Sequence, residues 1–505
     1  MVASFPSDGP ELVLGLVAPV GVELPAVAAA LRGALLSVNY EALGVNVIDA
    51  AAGLGRWTLP DETRYDRRVD TRMTFGDQVR GDIGLDGLAL ISVGEIKRLR
   101  QERTGDEDRP IARVAYLIRS LKTPEEVNRL RDVYGSSCFI VATYASRDIQ
   151  LDTLARQIAV SHHAAPNGFR SEATALMRRD EIEHGVDAGQ NLRETFPLAD
   201  VFLDGSDPES LRTSALRFVE ILFAHPFRTP SRHELGMFFA HGASLRSASP
   251  GRQVGACIAT RDGDTVSIGT NEVPKARGGQ YWEGDTPDER DHHRKHDSTA
   301  LLTRSILADL VARLRKKEWL TDELAKQDLA TLLARIDAES VLKKMRVGPD
   351  DPPSLSGKAL LRDIIEFMRA VHAEMAAVSS AAKRGVSVDG CVMYATAFPC
   401  HECARHIVMV GIGEVYFIDP YPKSRVPEMF DDSIVVDRDV KGKIPFRAFT
   451  GIAPRLYADA FVAPISTRWR WVARLGYLPN EADASALCLS EHVFGEGGRG
   501  LESLE

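Results

Sequence analysis

Four apolar runs in the first 205 residues, "ELVLGLVAPV", "RVAYLIRSL", "SCFIVATYA" and "ADVFLD", each pass into a stretch with helical spacing. Short apolar runs of this kind read as buried strands, and parallel strands need a crossover helix between them. Strands alternating with helices therefore predict an α/β fold, a parallel sheet flanked by helices. That constraint holds before any single residue is assigned a task.

The first of these units tests for phosphate chemistry. The strand enters a turn at Gly21, and "VELPAVAAALRGALLSV" follows as a helix, the strand, loop, helix order of a phosphate-binding fold. A working loop of the G-x-x-x-x-G-K-[ST] type needs a lysine for the β- and γ-phosphates and a hydroxyl for magnesium. Here Val22 and Glu23 hold those two places, and "RVAYLIR" ends in Arg119 where a magnesium-binding Asp is wanted. The expectation is a degenerate P-loop nucleoside-kinase-like domain over residues 1–230 that has lost phosphoryl transfer. Its remaining role is structural or that of a nucleotide sensor.

"AHPFRTPSRHE", residues 224–234, is the linker. A helix "ELGMFFAHGASLRS" comes next, then a strand pair turned by Asp262-Gly263. Residues 274–352 read as an insertion with long charged helical segments. The core resumes with a helix "KALLRDIIEFMRAVHAEMAAVSSAAKRG", strand "CVMYAT", helix "CHECARHIVMVG" and strand "EVYFID". A second α/β domain over 231–480 and a polar tail at 481–505 complete the expected organisation. With 44% hydrophobic and 26% charged residues the chain can bury two cores, and its net charge of −9 weighs against a protein that coats nucleic acid. No run reaches the roughly 18 apolar residues of a membrane span, and no secretory signal opens the chain, so the expected setting is cytoplasmic, without membrane partners.

Six cysteines are too few for a disulfide framework in 505 residues, so a close pair reads as metal-binding or catalytic. Cys400 and Cys403 stand three apart at an expected helix start, where both sulfurs share a face and the helix N-terminus favours thiolates. His372 supplies a third ligand, and three protein ligands with an open position describe a catalytic zinc rather than a structural one. Such a zinc lowers the pKa of the water it holds from about 15.7 toward about 7. Glu374 lies too close to His372 to be a comfortable fourth ligand and is well placed to carry a proton. A His-x-Glu followed by Pro-Cys-x-x-Cys is the signature of zinc nucleobase deaminases, with the Glu as acid and base. A Cys pair packed by chance in a core helix would leave the order of the two half-motifs unexplained. "DHHRKH", residues 291–296, offers a second metal or triphosphate site, but reads better as a hydrated loop.

"SPGRQVGACIATRDGDTVSIGTNEVP", "VHAEMAA" and "AFPCHEC" resemble the cytidine and deoxycytidylate deaminase superfamily. The whole arrangement, with "VAYLIRSLKTPEEVNRLRDVYG", "GTNEVPKARGGQYWEGD" and "IDPYPKSR", resembles the bacterial anti-phage dCTP deaminases. The resemblance implies a C-terminal cytidine-deaminase-like α/β/α domain that converts dCTP, and often dCMP, to deoxyuridine nucleotides, depleting dCTP as antiviral defence. It makes His372, Cys400 and Cys403 the Zn2+ ligands and Glu374 the proton shuttle. Asn271 matches the position that contacts the sugar, the amide of Ala373 faces the base carbonyl, and Arg252, Tyr421 and Lys423 are candidates for sugar and phosphates. A regulatory nucleotide at the N-terminal domain and a homo-oligomer are the further partners implied. The alternatives are a deaminase of single-stranded DNA or tRNA and a non-catalytic nucleotide sensor.

Overall fold

The computed structural model describes residues 9–181, 188–225, 227–295, 298–338, 367–419 and 424–462. Tyr421, Lys423, residues 339–352 of the expected insertion and the tail at 481–505 lie outside them.

The first sheet is made from β1 (Leu12–Val17), β2 (Glu41–Asn46), β3 (Val114–Arg119), β4 (Cys138–Tyr144) and β5 (Val201–Asp204), all parallel, in the order β5-β4-β1-β3-β2. Burial alternates between its two faces. Leu12, Leu14 and Leu16 meet Leu31 and Leu35 of helix α1 (Leu24–Leu36), whereas Val13 and Val17 point to Phe75, Val79 and Leu88 on the other side. That is why β1 reads as a continuous apolar run: a central strand covered on both faces has no polar side to show. Helix α2 (Arg170–Glu181) lies beside the loop after β1, and α3 (Pro208–Leu222) covers the α1 face. Asp207 starts α3 by accepting from the amides of Glu209 and Ser210, with Pro208 in the first turn.

The second unit opens with α4 (Arg232–Ser244), begun by a reciprocal cap between Ser231 and Glu234. Strands β6 (Gly255–Ala259) and β7 (Thr265–Thr270) form the expected hairpin, with Gly263 at φ +100° in its turn. The sheet continues through β8 (Val392–Ala397), β9 (Glu414–Asp419), β10 (Ile434–Val436) and β11 (Ile444–Ala448), in the order β10-β11-β9-β8-β6-β7. β6 is antiparallel to both neighbours, and the strands from β8 to β10 are parallel. Two helices on one face, α5 (Ala373–Lys383) and α6 (His401–Met409), close this layer.

The two units are joined through their cores. Met237 and Tyr394 of the second share one apolar cluster with Phe202 of the first. A short β12 (Gly451–Ile452) then crosses to pair antiparallel with β5. Among the described residues no helix is long and apolar enough to cross a membrane.

One local expectation is corrected. A helix running through His372 is replaced by one that starts at Ala373, because the backbone of Val371 exchanges two hydrogen bonds with Glu272 and is extended there. The part of that expected helix before residue 367 lies outside the described residues.

Candidate metal centre and its cavity

His372 and Cys400 occupy equivalent places, each the residue just before a helix, with extended backbone (φ −65°, ψ 153° and φ −72°, ψ 168°). Neither side chain caps its own helix. The two therefore turn toward each other, where the N-termini of α5 and α6 converge. Close packing puts α5 there. A Cβ on Gly269 would stand 2.2 Å from the carbonyl oxygen of Ala373 and 2.3 Å from the amide of Ala377. Only a residue without a side chain lets α5 lie this near β7. The other arm is held by Ser424, whose hydroxyl donates to the carbonyl of Pro399 at 2.9 Å.

The sulfurs of Cys400 and Cys403 lie 3.2 and 3.4 Å from Nδ1 of His372. All three ligand atoms fall within 4.8 Å of one another, and both cysteines are buried. Tetrahedral zinc with ordinary bond lengths separates nitrogen and sulfur ligands by about 3.5 Å, so this donor set fits the ion in chemistry and in size. The electrostatics agree. A hydrogen bond from Cys403, against the cost of burial and helped by His372, brings the Cys400 thiol down to about 4, and Cys400 in turn pushes the imidazole up to about 9. Cys403 moves the other way, because a second buried thiolate beside the first is unfavourable without a cation. A dication resolves that conflict by holding both sulfurs ionised and the imidazole neutral.

Glu374, in the first turn of α5, is 4% exposed and lines the same cavity, of about 410 Å³. Burial raises its carboxyl pKa and the Cys400 thiolate adds to the effect, with His372 opposing. Ala373, Asn271 and Arg252 also border the cavity. Asn271, however, spends its amide on its own chain: Nδ2 donates to the carbonyl of Arg252 at 2.6 Å and Oδ1 accepts from the amide of Val254 at 2.7 Å. In this state it shapes the loop that carries Arg252. Arg252 forms an ion pair with the buried Asp419 at the end of β9.

The cavity wall also holds residues that were not among the expected substrate contacts. Met368 and Arg369, from the stretch expected to run as a helix into His372, and Asp291, the first residue of the histidine-rich segment, border the cavity. Arg369 pairs with Asp291 at 2.6 Å. A cation three places before the candidate ligand His372 was the available signal. In the histidine-rich loop, Asp288, His292 and His293 bring their ligand atoms together, but both oxygens of Asp288 are already taken by Arg290, and the histidines are exposed.

Residues 230–419 match the family described as the cytidine and deoxycytidylate deaminase zinc-binding region. ComE operon protein 2 of Bacillus subtilis is 34% identical over 107 residues, 19% of this chain and 55% of that protein. Human deoxycytidylate deaminase is 46% identical over 54 residues, 10% of this chain and 29% of that protein. The chain thus spans about half of the first of these curated relatives and less than a third of the second. Among solved structures, the dCMP deaminase of cyanophage S-TIM5 in complex with dCMP and dUMP is 15% identical, covers 44% of this chain and 98% of that one, and superposes at a TM-score of 0.22.

Proposed function

We propose, from the premise that residues 230–419 are a cytidine and deoxycytidylate deaminase zinc-binding region, that this protein hydrolyses deoxycytidine nucleotides, dCTP, dCMP or both, to deoxyuridine nucleotides and ammonia. The observation that carries the proposal is the meeting of His372, Cys400 and Cys403 at the edge of a cavity lined by His372, Cys400 and the buried Glu374. Zinc held by the three ligands supplies a Lewis acid that makes water nucleophilic near neutral pH. Glu374 takes the proton that the attacking water releases and passes it to N3 of the cytosine, then moves the remaining proton from the new C4 hydroxyl to the amino group as the C4–N bond breaks, ending as it began. The amide of Ala373, at the uncapped start of α5, donates to the ring carbonyl.

Arg252 and Arg369 border the cavity and serve the phosphates. Each is held meanwhile by a carboxylate, Asp419 or Asp291, so an arriving phosphate exchanges one anionic partner for another. Tyr421 and Lys423 are assigned to the same end of the substrate from the sequence pattern. The N-terminal unit acts as a degenerate nucleoside-kinase-like domain that binds a regulatory nucleotide, and the chain works as a cytoplasmic homo-oligomer that depletes dCTP against phage.

The test is ammonia release with chromatography of products, offering dCTP, dCMP, deoxycytidine and a cytosine-containing single strand to the zinc-loaded protein. Release from dCTP or dCMP that falls about a hundredfold or more in Glu374→Ala, with bound zinc retained, is the expected result. Release from the strand alone would overturn the substrate class.

A further inference from the structure

Three cavities stand in a row through the molecule. The one that holds Glu374 shares Phe398 with a second, of about 370 Å³, between the two sheets. The second shares Pro19 and Val20 with a third, of about 550 Å³, which touches the carboxyl ends of the first sheet at Ala18, Asn46 and Arg119. The helix that follows β1 packs on one face of that sheet, through Leu31 and Leu35, and the helix Pro124–Tyr134 that follows β3 packs on the other, through Val127 and Leu130. β1 and β3 are neighbours, so the chain diverges between them, and such a crevice is where open α/β sheets take ligands.

The wall of this crevice is chemically specific. It carries four cations, Arg72, Arg80, Arg119 and Lys122, against one carboxylate, Glu23. Arg72, Arg80 and Lys122 are paired with Asp49, Glu126 and Asp180, whereas Arg119 forms no ion pair among the described residues. Gln190 is 3% exposed, and its Nε2 has no hydrogen-bond partner; the hydroxyl of Ser120 is likewise unsatisfied. A buried amide donor facing a cavity without an acceptor asks for one from a ligand. Tyr65, Met73 and Leu88 supply an apolar wall.

The loop after β1 limits what the ligand can be. The buried carboxylate of Asp180 accepts from the amide of Val20 at 2.6 Å and from Lys122 Nζ at 2.7 Å. An internal anion therefore sits on the donors that a chain of phosphates would use, and Glu23 repels further negative charge.

We propose that this crevice is a second nucleotide site, taking a nucleoside monophosphate: the phosphoryl group on Arg119, the base against the apolar wall, and the Gln190 amide donating to an acceptor on the ligand. It deepens the regulatory role proposed above for the N-terminal unit and rests on it. Ligand contact with the loop at Pro19 and Val20 reaches the middle cavity, and Phe398 separates that cavity from Glu374.

Calorimetric titration of the zinc-loaded full chain with dTMP, dAMP, dGMP and inorganic phosphate tests the site without requiring turnover. The expected result is submillimolar binding of at least one monophosphate, weakened at least tenfold by Arg119→Ala and by Gln190→Leu, each verified as folded by its melting curve and zinc content, and unchanged by Arg252→Ala. Binding lost in Arg252→Ala but kept in Arg119→Ala would place the ligand in the deaminase cavity and overturn the proposal. Inorganic phosphate binding as tightly as any nucleotide, or no nucleotide binding at 5 mM (about the weakest affinity such a titration reads), would overturn it too. Deamination is measured separately, so its absence with crevice binding intact would count against the catalytic proposal alone.

Discussion

Glu374 borders the cavity beside His372 and Cys400 but is not one of the three converging donors, and that separates two kinds of loss. Glu374→Ala should lower kcat/KM by about 10²–10⁴-fold, the usual worth of a positioned acid and base, while one zinc per chain remains by metal analysis. Loss of zinc in that variant would move Glu374 into the ligand set. Arg369→Ala should raise KM for dCMP or dCTP about tenfold and leave deoxycytidine unaffected, since it deletes one charged contact to phosphate and nothing near the ring. Equal effects on nucleotide and nucleoside would assign Arg369 to shaping the cavity. The convergence of His372, Cys400 and Cys403 beside Glu374 was legible because a metal site of this kind would fix their spacing along the chain. Arg369 was not, because its stretch reads as a helix continuing through residue 372 and only the distant pairing of Val371 with Glu272 breaks it, and Asn271 was legible as a position but not as a side chain committed to the backbone of residues 252–254.

Between elements, the contact of α5 with β7 is the one that aims the site. Gly269→Ala must push α5 away or break backbone packing, with a cost of about 1–3 kcal/mol. Because His372 leads that helix, zinc should also dissociate faster, measured with a competing chelator. An unchanged zinc off-rate would show that the helix is held elsewhere. The opposite face of the sheet carries a pH dependence. His233 of α4 lies against Tyr416 with ring centroids 4.2 Å apart, and its Nδ1 is 3.1 Å from the hydroxyl of Tyr394. Burial holds its pKa below the ordinary 6.5, although Glu414 and Glu234 pull the other way. The unfolded chain thus binds the proton first, and stability present above pH 6.5 is lost as the pH falls below it. Denaturant midpoints between pH 7.5 and 5 should decline, less steeply in His233→Gln. The strands and hairpin that carry these contacts were legible from their apolar runs and the Asp-Gly turn. The start of α5 was not, because helical periodicity continues smoothly through residue 372 and only a distant pairing with Glu272 breaks it.

Across the whole molecule, the joint between the two units centres on Glu234. Both of its oxygens accept from Arg217 of α3 at 2.7 Å; one also takes the amide of Ser231 and the other the amide of Ile452 in β12. Glu234→Ala takes the carboxylate from Arg217, which keeps only the carbonyl of Thr229, and leaves a buried amide without its acceptor, a loss of about 3 kcal/mol, and should split a single calorimetric transition into two. One unsplit transition would mean that the shared apolar cluster alone couples the units. β12 itself was invisible to periodicity, since two residues carry no pattern. Its position has a consequence during synthesis. From Val201 to Gly451 a ribosome needs roughly 12–50 s at about 5–20 residues per second, and throughout that interval the edge of β5 is uncovered on the nascent chain. An unpaired edge recruits other strands. Translation, rather than turnover, is the stage at which this molecule is most open to mispairing.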